Sequence, residues 1–311
     1  MTDILTLTMN PAVDVFTSIE QVIPGHKLRC ASAQTHPGGG GINVARVLHR
    51  LGADVLALYA AGGATGRVLR ELLDHEHIPA QAIDIANETR ESFTAHETSS
   101  GQDFRFVLPG PKLSETEWRA CLTELARHGT PRFVIASGSL PPDVPDDFYA
   151  QMAAQAHAQG SLFVIDSSGS ALTAALRAGV HLVKPSLREL RDLTGLPLTT
   201  ESEWCGAARG LIRQGQARIV ALSLGEDGAL LVTDQQAWRA RALKVDVAST
   251  IGAGDSFLAG LIWALDKQHD VAQALRYAMA AGAAALLTPG TSLCQAKDIQ
   301  RLLQDVQVQL I

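Results

Sequence analysis

The segment Ser249-Thr250-Ile251-Gly252-Ala253-Gly254-Asp255-Ser256-Phe257 constrains this chain most, because small residues open a helix there and a carboxylate follows in its first turn. A helix start of this kind can hold phosphate oxygens on backbone N–H groups while an acid faces a reacting hydroxyl. Asp near a helix start is also a common cap, and glycines often mark turns. Taken alone, the segment leaves phosphate chemistry and simple capping as equal alternatives.

A second glycine-rich segment, Pro37-Gly38-Gly39-Gly40-Gly41-Ile42-Asn43-Val44-Ala45-Arg46, opens an amphipathic helix that Gly52 is suited to end. Each glycine costs roughly 0.5–1 kcal/mol against alanine in regular structure, so a run of them indicates backbone that turns sharply or lies against a ligand. Asn43, in the first turn, is suited to hydrogen-bond a polyol. A flexible turn with a capping Asn is the alternative.

Composition excludes several classes of protein. The 311 residues are 46% hydrophobic, which fits one large α/β domain, and the net charge of −6 without a Lys/Arg block argues against nucleic acid or a membrane surface as partner. Four cysteines without C-x-x-C spacing and no recognisable leader predict a reduced, cytoplasmic protein. The Ala-rich stretch from Val271 to Leu287 contains Arg276 and predicts a buried helix rather than a membrane span.

Short apolar strands alternate with helical patterns, which is typical of a mostly parallel sheet covered by helices. The predicted strands are Ile4–Leu7, Val55–Tyr59, Phe133–Ala136, Leu162–Ile165, His181–Val183 and Ile219–Ser223, and the predicted helices lie near 66–75, 114–128, 147–159, 203–214 and 254–265. Ligands in such folds bind at the carboxyl ends of the strands. Those ends are followed here by Ser137-Gly138-Ser139, Asp166-Ser167-Ser168, Lys184-Pro185-Ser186 and Leu224-Gly225-Glu226.

Two segments interrupt the alternation, residues 12–35 and 90–108, and both have β-compatible stretches. Together they predict a small sheet that acts as a lid over a site, with an extra edge sheet as the structural alternative. The lid interpretation is favoured because four cations on these segments, Lys27, Arg29, Arg90 and Arg105, could clamp a phosphate. Apolar residues on the same strands, Val13, Val15, Phe93 and Phe106, predict a homodimer formed through the lid sheets.

Several familiar catalytic motifs are missing from the sequence, namely the P-loop, the H-R-D triplet, the G-x-S-x-G elbow and the H-E-x-x-H helix. His75-Glu76-His77 follows a predicted helix end with no third ligand in sight, so we interpret it as a solvated turn rather than a metal site.

With both glycine motifs in order, the chain resembles the ribokinase-like (PfkB) family of carbohydrate kinases over essentially its full length. The resemblance rests on Gly38 through Ala45 and on Gly252 through Asp255. Within the family it is most similar to the minor-type 6-phosphofructokinases, although the opening Thr6 through Asp14 is as similar to 1-phosphofructokinases. The resemblance implies a three-layer α/β fold: one domain over residues 1–311, a mostly parallel central sheet flanked by helices, and a small β-sheet lid.

The resemblance also implies roles at the reacting centre and around the sugar. Asp255 is implied as the general base, and Gly252, Ala253 and Gly254 as an anion hole for the developing phosphate charge, which suits the demands of phosphoryl transfer. Asp14, Gly39 and Asn43 are implied to contact the sugar hydroxyls. The phosphate already on the substrate would be held by Arg90, Arg105 and Ser139, with Lys27 a weaker candidate.

For the nucleotide, the resemblance implies contacts from Lys184, Ser186, Glu189, Ser223, Gly225, Gly228 and Thr250. Ser186 replaces the usual Asn of the family motif, and Ser186 with Glu189 is equally well explained as a capping box. Glu189 is implied to orient water bound to Mg²⁺. A monovalent cation, usually K⁺, is implied near the anion hole, on Ser249, Ile251, Ala285, Thr288, Gly290 and Ser292.

The sequence therefore predicts an ATP-dependent, Mg²⁺-requiring kinase that phosphorylates fructose 6-phosphate at its 1-hydroxyl to give fructose 1,6-bisphosphate. The nearest alternatives are a 1-phosphofructokinase and a tagatose-6-phosphate kinase. An alternative from a different class is a catalytically silent sensor that binds sugar or nucleotide. The expected partners are the sugar phosphate and ATP, with neither nucleic acid nor membrane.

Overall fold

A computed structural model describes residues 2–311 as fourteen strands and ten α-helices. The strands are β1 (Ile4–Thr8), β2 (Ala12–Ile19), β3 (Gln34–Gly38), β4 (Val55–Ala61), β5 (Ala80–Asp84), β6 (Arg90–Glu97), β7 (Gln102–Val107), β8 (Phe133–Ser137), β9 (Leu162–Asp166), β10 (Val180–Val183), β11 (Ala217–Ser223), β12 (Ala229–Val232), β13 (Ala237–Ala240) and β14 (Val308–Leu310). The helices are α1 (Gly40–Arg50), α2 (Gly63–His75), α3 (Glu115–Arg127), α4 (Phe148–Ala158), α5 (Gly169–Ala178), α6 (Leu187–Thr194), α7 (Glu201–Arg213), α8 (Ala253–Asp266), α9 (Val271–Leu286) and α10 (Ala296–Leu303).

Ten strands form the central sheet, in the order β14-β13-β12-β11-β10-β9-β8-β1-β4-β5. All pairs from β5 to β11 are parallel, and β12, β13 and β14 add antiparallel strands at one edge. The inner strands are continuous apolar runs because helices cover both faces of the sheet. The predicted mostly parallel sheet is confirmed.

Two helical layers enclose this sheet, which gives three layers in all. Helices α1, α8, α9 and α10 bury one apolar face, and helices α3 to α7 bury the other. Helices α8 and α9 come especially close at Gly260, where a Cβ would lie only 2.6 Å from the carbonyl oxygen of Tyr277. The Ala-rich stretch thus forms a buried helix, as its composition predicts.

A separate four-stranded sheet has the order β3-β2-β6-β7. Its strands differ from the predicted 12–35 and 90–108, because β3 continues to Gly38 and no strand lies between residues 20 and 33. Phe93, Phe106 and Val107 are exposed on it, whereas Val13 is buried against Ile42. Val13, one of the four apolar residues on which the homodimer prediction rests, therefore does not lie on an open face, since α1 and α2 pack over that end of the sheet.

The predicted strands and helices are present, with ends displaced by a few residues. The elements that were not predicted from the sequence are β5, β12, β13, β14, α5, α6 and α10. Within residues 2–311, no helix combines the length and apolar character needed to cross a membrane.

Candidate active site

The order of the central sheet reverses between β1 and β8. From β1 the chain adds strands on one side, through β4 to β5, and from β8 it adds strands on the other. A crevice opens at the carboxyl ends of strands at such a point, and ligands of doubly wound folds bind there. Thr8 and Ser137 end the two strands, and Asn10 and Ser139 face each other just beyond, where Asn10 Nδ2 donates to Ser139 Oγ over 3.2 Å.

Helix α8 begins at the glycine-aspartate segment. Gly252 has a left-handed backbone with φ of +77°, and a Cβ there would overlap the Leu293 side chain. Within residues 2–311, the N–H groups of Gly252, Gly254 and Asp255 donate no hydrogen bond. They present free donors at the positive end of a helix dipole, which suits an anion.

Asp255 and Asn43 join the two glycine motifs. Asn43 Nδ2 donates to Asp255 Oδ2 over 2.9 Å, although the residues are 212 positions apart. Burial raises the pKa of Asp255, while the Asn43 hydrogen bond and the Lys184 charge act in the opposite direction. A carboxyl group with a raised pKa is suited to accept a proton from a hydroxyl.

A buried ion pair lies beside the start of α8. Lys184 Nζ is 3.1 Å from Asp166 Oδ1, and a Cβ on Gly254 would be 3.6 Å from that ammonium. Burial raises the pKa of Asp166 to about 7, because the cost of burying the charge outweighs the attraction of Lys184. Repulsion from Asp255 raises this pKa further. Burial alone would lower the pKa of Lys184, but the surrounding carboxylates of Asp166, Asp255 and Glu189 raise it. The sequence interpretation gave Asp166 no role, and its position at a strand end was the available signal.

Near the residues predicted to bind the sugar, β2 and β3 bring Asp14 against the first glycine motif. Gly38 pairs with Ala12 across the two strands, and a Cβ on Gly38 would overlap the carboxylate of Asp14. Asp14 is buried, and burial raises its pKa against the charges of Arg105, Arg46 and Arg90. Gly39 follows with φ of +113°, as the residue before α1. The close approach leaves the Asp14 carboxylate no room to move toward the glycine segment.

Two of the predicted phosphate-binding cations lie on β6 and β7. Arg90 donates to the carbonyl oxygens of Asn10 (2.9 Å) and Leu108 (3.1 Å), and its buried Nε has no partner within residues 2–311. Arg105 is exposed and lies at a small cavity that Asp14 also lines. Lys27 is exposed in the segment between β2 and β3, where no ion pair links it to the described residues. Arg90 and Ser139 thus both bond to Asn10, and Arg105 lines a cavity with Asp14, whereas no hydrogen bond or ion pair within residues 2–311 links Lys27 to any of them.

The predicted nucleotide residues follow β10 and β11. The capping box is present: Ser186 N–H donates to Glu189 Oε2 over 2.7 Å, and Glu189 N–H donates to Ser186 Oγ over 3.2 Å. Ser223 N–H donates to the Pro185 carbonyl oxygen over 3.0 Å, which ties the two strand ends together. Gly225 and Gly228 both have positive φ around a 3₁₀ turn, and Thr250 is exposed just before α8. One Glu189 oxygen is therefore committed to the helix start.

The predicted cation ligands lie in two adjacent loops. Ala248 N–H donates to the Leu286 carbonyl oxygen over 2.7 Å, which brings the segment before α8 against the loop after α9. Four of the six predicted ligands, the carbonyl oxygens of Ser249, Ile251, Thr288 and Gly290, accept no hydrogen bond from residues 2–311. The other two predicted ligands are engaged, since the Ala285 carbonyl oxygen accepts from Thr288 and the Ser292 carbonyl oxygen accepts from Arg50.

Comparison with known proteins decides the family. The model of the pfkB family of carbohydrate kinases matches residues 7–298. The chain is 44% identical over 302 residues to the ATP-dependent 6-phosphofructokinase isozyme 2 of Mycobacterium tuberculosis, covering 97% of this chain and 89% of that protein. It is 36% identical to a 1-phosphofructokinase of Xanthomonas campestris, covering 89% and 88% of the two chains.

The chain belongs to the pfkB family of carbohydrate kinases. Phosphofructokinase-2 from Escherichia coli, solved in complex with fructose-6-phosphate, superposes on this kinase with a TM-score of 0.93 at 37% identity, covering 98% and 99% of the two chains. The same protein has been solved in complex with potassium. The predicted family, ribokinase-like fold and phosphotransferase chemistry on a sugar hydroxyl are confirmed.

Arg46 is a residue of this kinase that the sequence interpretation did not single out. Its side chain is fully buried on α1 and pairs with Glu76, which also pairs with Arg50. The expectation that His75-Glu76-His77 is merely a solvated turn is wrong for Glu76, because its carboxylate is the counter-ion of a buried guanidinium. Burial favours neutral Glu76, but its hydrogen bonds and charge contacts with the two arginines lower its pKa.

Proposed function

We propose that this kinase transfers the γ-phosphoryl group of ATP to the 1-hydroxyl of fructose 6-phosphate. The observation that carries the proposal is Asp255 at the start of α8, beside free N–H donors and next to Asn43. The relative from Mycobacterium tuberculosis is named a 6-phosphofructokinase and the Escherichia coli relative was solved with fructose-6-phosphate, which supports the choice of sugar.

In the proposed reaction, the oxygen of the sugar hydroxyl bonds to the γ-phosphorus of ATP, and Asp255 takes the proton of that hydroxyl. The bond from that phosphorus to the bridging oxygen of ADP breaks, and ADP leaves with the electron pair. Negative charge on the transferring group is stabilised by the N–H groups of Gly252 and Gly254 and by the ammonium of Lys184. The Ala253 N–H, the third predicted donor, donates to the Thr250 carbonyl oxygen over 3.5 Å and would have to exchange this bond for one to the phosphate. A base of this kind contributes typically ~10²–10⁴ in rate.

The sugar phosphate would lie between the first glycine motif and the small sheet. Asp14 and Asn43 offer hydrogen bonds to sugar hydroxyls close to the backbone of Gly39, and Arg90, Arg105 and Ser139 offer charge and hydrogen bonds to the existing phosphate. The unpartnered Arg90 Nε supports this assignment, because a buried donor requires an acceptor. Lys27 makes no hydrogen bond or ion pair within residues 2–311. Its predicted contact with the phosphate would require the small sheet to close over the sugar as a lid.

The proposed nucleotide residues are Lys184, Ser186, Glu189, Ser223, Gly225, Gly228 and Thr250. Mg²⁺ usually binds through one or two carboxylates, waters and substrate phosphates. Glu189 fits this pattern, since its second oxygen stays available for a metal-bound water. When bound, Mg²⁺ would neutralise charge on the ATP phosphates. K⁺ fits the four carbonyl oxygens that accept no hydrogen bond, those of Ser249, Ile251, Thr288 and Gly290.

A homodimer through the small sheets is part of the proposal. Phe93 and Phe106 pair across β6 and β7 with ring centroids 6.3 Å apart, and both side chains are exposed. Apolar surface of this kind on a sheet favours pairing with a second copy.

A cytoplasmic location also stays a prediction.

The decisive experiment measures ADP release with ATP and a panel of sugars. We expect kcat/KM for fructose 6-phosphate to exceed that for fructose 1-phosphate and for tagatose 6-phosphate, and to exceed that for free fructose by at least about a hundredfold, since the charge-assisted bonds to the phosphate are lost. Preference for fructose 1-phosphate would favour the activity named for the Xanthomonas campestris relative. Binding of sugar without ADP release would identify a sensor instead.

A further inference from the structure

Arg46 is an arginine of α1 whose side chain has no exposed surface. Its Nε and Nη2 donate to the two carboxylate oxygens of Glu76, over 3.0 and 2.6 Å. This bidentate contact fixes the plane of the guanidinium as well as its position. Glu76 follows α2, so the contact anchors α1 to a second helix.

The other edge of the guanidinium faces the candidate active site. Nη1 donates to the Pro37 carbonyl oxygen (3.0 Å), to Asn43 Oδ1 (3.3 Å) and to the Thr291 carbonyl oxygen (3.0 Å). One nitrogen thus contacts the start of the first glycine motif, the residue bonded to Asp255, and the loop after α9. Pro37 and Asn43 lie within nine residues of Arg46, whereas Thr291 is 245 positions away, so Arg46 joins the first glycine motif to a distant loop.

The contact between Arg46 and Asn43 has a directional consequence. A guanidinium has N–H donors and no acceptor, so Asn43 must turn Oδ1 toward Arg46. Nδ2 of the same amide then points to Asp255, where it donates over 2.9 Å. In the reversed amide, Nδ2 would meet the N–H groups of Arg46 and Oδ1 would meet the Asp255 carboxylate. Both contacts would be repulsive.

We propose that Arg46, anchored by Glu76, is a positioning residue that fixes the orientation of the Asn43 amide and thereby holds the Asp255 carboxylate in place for proton transfer. The inference rests on the proposed role of Asp255 as general base. Arg46 touches neither the sugar nor the nucleotide in this assignment, and its path to Asp255 runs through the Asn43 amide.

The electrostatic surroundings agree with action through Asn43. The largest charge effects on the pKa of Asp255 come from Lys184, Asp14 and Arg105. The charges that act most strongly on the pKa of Arg46 are those of Glu76, Arg50 and Asp14. Because Arg46→Lys keeps the positive charge, a fall in its activity reports the lost hydrogen bond to Asn43 rather than a lost charge.

A double-mutant cycle tests the proposal. Arg46→Lys keeps the charge but cannot bridge Glu76 and Asn43 with a planar fork. We expect it to lower kcat by about tenfold, which corresponds to one charge-assisted hydrogen bond, and to change KM for ATP by less than about twofold. In the Asn43→Ala background the same substitution should change kcat by less than about twofold, because the residue it acts through is gone. Equal falls in both backgrounds would overturn the proposal.

Arg50→Lys is the matched control. Arg50 lies on the same helix and donates to Glu76 Oε2 (3.0 Å) and to the carbonyl oxygens of Ser292 and Cys294, but it does not contact Asn43. We expect it to lower the Tm while leaving kcat within about twofold of wild type. If Arg46→Lys fails to fold, Glu76→Gln replaces it, with an intermediate fall in kcat that also vanishes in the Asn43→Ala background.

A measurement on the free enzyme separates this inference from the choice of sugar. The side-chain NH₂ signal of Asn43 in ¹⁵N NMR spectra can be assigned by its loss in Asn43→Ala. We expect slow hydrogen exchange in wild type and in Arg50→Lys, and exchange faster by at least about tenfold in Arg46→Lys. Unchanged exchange in Arg46→Lys would refute positioning by Arg46 whichever sugar is phosphorylated. A wrong sugar would alter only the substrate panel.

Discussion

The ammonium of Lys184 lies 3.1 Å from a carboxylate oxygen of Asp166, and both side chains are largely enclosed by the protein. Attraction between them does not compensate for the burial of Asp166, whose pKa is raised to about 7. Asp255 lies close enough to add repulsion. The pair therefore places a proton that exchanges near neutral pH next to the proposed anion hole.

This pair predicts how stability depends on pH. Because the pKa of Asp166 is higher in the folded state than in the unfolded chain, its contribution to stability is complete below about pH 4 and is lost as the pH rises through about 7. Asp255, whose pKa is also raised, contributes with the same sign. We expect the fall in Tm between pH 5 and pH 8 to be smaller in Asp166→Asn than in wild type.

The control for that measurement is Asp84→Asn, at an exposed carboxylate paired with Arg70. It should leave the pH dependence of Tm as in wild type, since exposed ion pairs contribute little. An unchanged slope in Asp166→Asn would contradict the raised pKa.

Asp255→Asn should lower kcat by about 10²–10⁴, because the amide cannot accept the proton of the sugar hydroxyl. The fold should persist, since the substitution removes a buried carboxylate that no cation contacts directly. Steady-state ADP release and Tm check the two statements. Asp246→Asn, at an exposed loop residue, serves as control and should retain wild-type kcat.

Gly38→Ala should raise KM for the sugar phosphate, because the new Cβ would overlap the carboxylate of Asp14 and displace it from the proposed sugar site. We expect a rise of about tenfold or more, equivalent to one charge-assisted hydrogen bond. The matched control is Gly206→Ala within α7, where nothing lies within 4 Å of the new atom. That control should leave KM unchanged and raise the free energy of unfolding by about 0.5–1 kcal/mol. Equal KM values in both variants would argue against Asp14 as a sugar ligand.

Arg105→Met should raise KM for the sugar phosphate by about 10–100-fold and leave KM for ATP unchanged, since a charge-assisted bond to the phosphate contributes about 1.5–3 kcal/mol. Arg105 is exposed and bonds no other described side chain, so the fold should not depend on it. Arg119→Met, which removes a surface pair with Glu115, is the control. A wild-type KM in Arg105→Met would exclude this residue from phosphate binding.

Local patterns predicted the central features of the fold. The apolar runs of β1, β4 and β8 are continuous because both faces of their sheet are covered, and that requirement is visible in the sequence. The edge strands β12 to β14 were missed because each has three or four residues, too few to define a period. Helix α6 was missed although its capping box was noticed, since it is only eight residues long.

Local sequence was enough to predict the two glycine-rich helix starts, the family that they indicate, and Asp255 as the acid at one of them, because these features depend on residue type within a few positions. The packed structure was needed to show that Arg46 is fully buried, that Glu76 neutralises it, and that Asp166 pairs with Lys184. The environment of a charge depends on partners from distant segments, and those partners are brought together only when the sheet and its helices pack.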